Sequence, residues 1–116
     1  MQEDRLKLFL QKLHRFYEER DWKQFHSPKN IAMGVASEVG ELLQIFRFLT
    51  ESESSQLDPK TLELVRDEIG DIFIFFSYFA DILGIDVIEA AHDKLAKAAK
   101  KYPADLCRGR KDKAPI

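Results

Sequence analysis

Residues 58–83 read DPKTLELVRDEIGDIFIFFSYFADIL, and the fold follows from how this stretch is understood. Asp58-Pro59 marks a helix start, a carboxylate able to cap free N–H groups followed by a proline suited to the first helical position. From Ile69 to Leu83 the segment carries Ile72, Phe73, Ile74, Phe75, Phe76, Tyr78, Phe79 and Ile82, apolar nearly all round. Gly84 supplies a stop. Working outward, Ser27-Pro28 repeats the cap-then-proline signal and predicts a helix running to about Leu49. Before it, Leu6, Phe9, Leu10, Leu13, Phe16 and Tyr17 fall on one face of a first helix. After it, Asp86 is placed to cap a helix ending near Lys101, since Pro103 disfavours continuation. Thr50 to Gln56 reads as a polar interhelical loop. No strand-type alternation bounded by turns is present.

The expected class is therefore all-α, a bundle of four to five helices. A helix apolar on every side must be covered on every side, and the other helices are too short and too charged to do so. A partner subunit is expected to complete the core as a symmetric homo-oligomer, dimer or tetramer.

Length and composition agree with one helical domain over residues 1–103 and a loose, basic tail over 104–116. The chain has 116 residues, and 45% hydrophobic content is too high for a disordered polymer. A single cysteine, Cys107, rules out an internal disulfide framework. No apolar run reaches the roughly 18 residues of a membrane span, and Met1-Gln2-Glu3-Asp4-Arg5 does not read as a signal peptide. A soluble cytoplasmic protein is the expectation. From Lys94 onward eight bases stand against two acids, whereas before it ten bases stand against eighteen acids. Nucleic acid is the weakest candidate partner, because it rests on the basic tail alone.

The informative residues are acids among apolar neighbours. Glu38 and Glu41 lie three apart, about 60° from each other on one helix face, and Glu68 and Asp71 repeat the spacing. Gly40 and Gly70 lie between the acids of each pair, which predicts close helix approach there. Antiparallel packing would gather four carboxylates, which need a compensating cation. Carboxylate oxygens are hard ligands and no Cys/His cluster competes, so Mg²⁺ is the natural choice and Mn²⁺ is possible. Mg²⁺ held in this way reaches for substrate phosphates.

Glu38-Val39-Gly40-Glu41-Leu42 with Asp67-Glu68-Ile69-Gly70-Asp71-Ile72 resembles the paired ExxE and ExxD motifs of the all-α nucleoside triphosphate pyrophosphohydrolases, the MazG-like superfamily. Glu19-Arg20-Asp21-Trp22-Lys23-Gln24-Phe25-His26-Ser27-Pro28-Lys29-Asn30 is similar to the RDWxQFHxPKN segment of its dCTP pyrophosphatase branch, and Lys100-Lys101-Tyr102-Pro103 to that branch's closing motif. The resemblance runs from about Leu6 to Arg110. It implies a helical homo-oligomer that cleaves a deoxynucleoside triphosphate, dCTP or a modified pyrimidine nucleotide, to monophosphate and pyrophosphate. Glu38, Glu41, Glu68 and Asp71 would hold Mg²⁺, with Glu41 or Glu38 taking the proton from water. Trp22, Phe25, His26 and Asn30 would serve the nucleotide, Trp22 and Phe25 by stacking on its base. Phe48 and Phe75 would add stacking surfaces, Lys94 and Lys101 would meet the triphosphate, and Tyr102 would belong to the substrate-binding set.

The sequence departs from the pattern at Ala96 and Ala98, where relatives carry an acid and an Asn. A non-catalytic Mg-nucleotide-binding module is the alternative that this departure motivates, and a related enzyme acting on dUTP or another nucleotide is a second.

Overall fold

The computed structural model describes residues 4–110. Over them the chain is helical and strand-free: α1 (Arg5–Glu19), a 3₁₀ turn (Lys23–Phe25), α2 (Pro28–Phe46), α3 (Glu51–Ser54), α4 (Pro59–Ile82), α5 (Val87–Lys101) and α6 (Ala104–Cys107). By internal contacts it divides into two compact units, Met1–Gly84 and Ile85–Ile116.

Local chemistry sets most of the boundaries. Asp4, Ser27, Asp58 and Asp86 each turn a side-chain oxygen onto backbone N–H groups of the following first turn, satisfying donors that lack an intrahelical acceptor. Proline follows Ser27 and Asp58 directly. Gly84 ends the α4 region at φ 71°, in the left-handed region open to glycine.

In the first unit α4 packs along α2 and, less extensively, against α1. Leu13 and Tyr17 of α1, Ile31 of α2 and Tyr78 of α4 are buried together, with Phe9, Leu10, Ile74, Phe75, Phe79 and Ile82 packed around them. Gly34 meets Phe75, while Glu38 and Glu41 meet Glu68 and Asp71. This pairing order makes α2 and α4 antiparallel.

Several boundaries and contacts differ from expectation. Among the described residues there are six α-helices rather than four or five, in part because Thr50 and Glu53 form a reciprocal capping box that folds the expected loop into one-turn α3. Helix α2 ends at Phe46, short of Leu49. Residues 104–107 of the expected loose tail form α6, and residues 111–116 lie outside the described ones. A Cβ added at Gly40 or Gly70 meets no atom within 4 Å, so the expected close approach is absent there. It occurs at Gly34 instead, where an added Cβ would lie 3.2 Å from the Phe75 ring. Phe16, placed on one face of α1 with Leu13 and Tyr17, is exposed while those two are buried.

Candidate metal centre

Helices α2 and α4 present two acids each toward one another. The three-residue spacing puts Glu38 beside Glu41 and Glu68 beside Asp71, and the antiparallel contact brings the pairs together. One carboxylate oxygen from each of the four lies within 4.8 Å of the others. Glu38 and Glu68 are half-buried, and Glu41 and Asp71 are exposed at the rim. The Oε2 atoms of Glu38 and Glu68 are buried without a hydrogen-bond partner.

The electrostatics follow from that crowding. Burial, reinforced by the charges of Glu41 and Asp71, pushes the Glu38 carboxyl up to about 7 from an ordinary 4.5. Burial and the same two neighbours also raise Glu68. Buried acceptor oxygens with no donor nearby are costly, and hard oxygen donors at this separation fit a divalent cation such as Mg²⁺. The residues present therefore suit the expected metal.

No family model matches the chain. It is 32% identical over 103 residues to dCTP pyrophosphatase 1 of Mus musculus, covering 86% of this chain and 61% of that protein. It is also 32% identical over 102 residues to dCTP pyrophosphatase 1 of Homo sapiens. The chain thus spans about three-fifths of the length of these relatives, 61% and 60%. A crystal structure of a pyrophosphatase from Archaeoglobus fulgidus superposes with a TM-score of 0.78 at 33% identity, covering 89% of this chain and 96% of that one. The chain belongs to the MazG-like all-α nucleoside triphosphate pyrophosphohydrolases.

In this MazG-like chain the aromatic segment folds back on the end of α1. Trp22 is 44% exposed, with its ring edge-on to Phe16 at 5.7 Å. Phe25 is 60% exposed. His26 is half-buried, 4.3 Å from the Tyr17 ring and 5.6 Å from the Tyr78 ring. Burial lowers its pKa from the ordinary value, and its Nδ1 is buried without a partner. Asn30 donates from Nδ2 to the Phe25 carbonyl at 3.0 Å.

Of the other expected site residues, Phe48 and Phe75 belong to the first unit and Lys94, Lys101 and Tyr102 to the second. Phe48, just past α2, is 82% exposed under the Arg47 guanidinium at 4.5 Å. Phe75 is half-buried against Gly34 at the core edge. Lys94 and Lys101 lie on α5 in the second unit and Tyr102 just beyond it, with the Lys101 ammonium 5.5 Å from the Tyr102 ring centroid.

Two features had no sequence signal. His14 Nε2 lies 2.6 Å from Asp81 Oδ2, tying α1 to α4 across 67 positions. Tyr17 and Tyr78 stack edge-on at 4.9 Å beneath His26. Such pairs depend on how helices are placed, not on spacing within one of them.

Proposed function

We propose that this chain is a nucleotide pyrophosphohydrolase that cleaves a deoxynucleoside triphosphate, dCTP or a modified pyrimidine nucleotide, to the monophosphate and pyrophosphate. Its role would be to clear unwanted precursors from the nucleotide pool in the cytoplasm. The observation that carries this reading is the convergence of Glu38, Glu41, Glu68 and Asp71 within 4.8 Å, with two buried oxygens lacking partners. The names of the relatives support the substrate class.

Glu38, Glu41, Glu68 and Asp71 are the residues that would hold Mg²⁺. When bound, the cation supplies charge neutralisation to phosphate oxygens and acidifies water. The overall change adds a water oxygen to phosphorus of the α–β anhydride and breaks the bridging P–O bond, so pyrophosphate leaves. The water proton passes to a carboxylate oxygen of Glu41 or Glu38. Trp22 and Phe25 stack on the base, and His26 and Asn30 provide polar contacts to the nucleoside. Phe48 and Phe75 add stacking surface. Lys94, Lys101 and Tyr102 supply cationic and hydroxyl groups suited to a triphosphate.

The functional unit is a homo-oligomer, supported by the apolar side chains left exposed on α2 and α4. No helix among the described residues is long and apolar enough to cross a membrane.

The test is pyrophosphate release from a panel of nucleoside and deoxynucleoside triphosphates, with Mg²⁺ and with chelator. Metal-dependent release strongest with dCTP is the expected result. Release strongest with dUTP or another nucleotide would reassign the substrate. Ala96 and Ala98, which offer neither a ligand nor a phosphate contact, favour a binding module as the second reading. Tight Mg-dCTP binding without pyrophosphate release would establish that reading instead.

A further inference from the structure

Helix α1 ends in a paired closure: Asp21 N–H donates to the Glu18 carbonyl at 3.1 Å and Trp22 N–H to the Tyr17 carbonyl at 3.0 Å. That closure places a left-handed residue at position 21, where glycine is the usual occupant. Asp21, at φ 55°, is the one non-glycine residue with positive φ among the described residues. A short polar side chain tolerates this conformation by bonding locally. Here Gln24 Nε2 donates to both the Asp21 carbonyl and Asp21 Oδ2, at 3.0 Å each. The reversal sends Trp22 back onto Phe16 and His26 onto Tyr17. At the far end Asn30 holds the Phe25 carbonyl. The segment between is thus fastened at both ends by side chains, while its own rings stay exposed.

Glycine would serve the turn itself without strain. What glycine lacks is the carboxylate, one of the two acceptors that hold Gln24, and with it part of the restraint on the 3₁₀ turn carrying Phe25. We propose that Asp21, clamped by Gln24, is a positioning residue that presents Trp22 and Phe25 to the nucleotide base. This rests on the reading of Trp22 to His26 as the base-binding segment.

Trp22 is the only tryptophan, so its fluorescence reads the segment directly. The experiment compares wild type, Asp21→Gly, Asp21→Asn and Phe25→Ala. The readouts are acrylamide quenching of Trp22, binding of a non-hydrolysable α,β-imido analogue of dCTP with Mg²⁺, and KM and kcat on dCTP. Asp21→Gly is expected to keep the melting temperature of wild type or exceed it, because glycine relieves the left-handed strain. Its Trp22 should nevertheless quench more readily. Its KM and analogue Kd should rise about five- to tenfold with kcat within about twofold, since a misplaced stacking surface loses uniform binding. Asp21→Asn, which keeps an acceptor oxygen and tolerates the conformation, should restore both readouts. Asp21→Gly with wild-type quenching, or with wild-type KM and Kd, would overturn the proposal. Phe25→Ala separates the two ideas. If it weakens analogue binding while Asp21→Gly does not, only the role of Asp21 falls. If it leaves binding unchanged, the base-binding reading falls and takes the role of Asp21 with it.

Discussion

Glu38 is half-buried on α2, with an orphaned Oε2 and a carboxyl raised to about 7 chiefly by burial. The unfolded chain releases this proton near 4.5, whereas the folded chain keeps it until about 7. Across that window Glu38 binds more protons folded than unfolded, so the stability it contributes falls as pH rises, while His26, whose pKa burial lowers, acts in the opposite sense. Calorimetry in chelator should show the melting temperature decreasing from pH 5 to 7.5, and Mg²⁺ should restore more at pH 7.5 than at pH 5. A melting temperature that rises over this range would contradict the crowding of acids. Replacing one of the proposed ligands acts on both properties. Glu41→Gln or Asp71→Asn should lower pyrophosphate release by at least about a hundredfold. In chelator the same variants should melt no lower than wild type, because one source of repulsion is gone. Near-wild-type release would remove these residues from the metal site. The four acids were legible because carboxylates among apolar neighbours at repeated spacing are anomalous. Which oxygens lack partners depends on side-chain burial, which spacing does not encode.

At the scale of elements, starts were more legible than ends. Ser27, Asp58 and Asp86 cap as expected, since capping involves only a residue and the next turn. The end of α2 was not legible, because Arg47, Phe48 and Leu49 contain no glycine or proline to stop a helix. Thr50 with Glu53 is a local capping-box signature that composition disguised as loop. The glycines divide more sharply. Gly40 and Gly70 have open space where a side chain would go, so alanine at either should add about 0.5–1 kcal/mol of stability through helix propensity. At Gly34 an alanine Cβ would press on the Phe75 ring at 3.2 Å, and crowding of that kind costs about 1–3 kcal/mol. Urea denaturation should therefore rank Gly34→Ala below Gly40→Ala and Gly70→Ala. Equal stabilisation at all three would show that Phe75 moves aside freely.

For the whole molecule, the decisive observation is what one chain leaves uncovered. Leu62, Ile69, Phe73 and Phe76 on α4, with Met33, Val39 and Leu43 on α2, are exposed, Ile69 by 57%. Exposed apolar residues in such number suit contact with a second copy. Light scattering should give a mass that is a multiple of 13.5 kDa. Phe76→Arg should lower that mass, because burying an unpaired guanidinium at an interface is unfavourable. A monomer in both cases would refute the oligomer. By itself, the sequence determined the helices, most of their caps and the pairing of acids along each helix, because these depend on neighbours within a turn or two. Only tertiary structure decided that Gly34 rather than Gly40 or Gly70 admits a close neighbour, that His14 meets Asp81, and that Trp22 and Phe25 stay exposed while Tyr17 and Tyr78 are buried. Those outcomes depend on the rotation and register of one helix against another, which packing between residues distant in the chain selects.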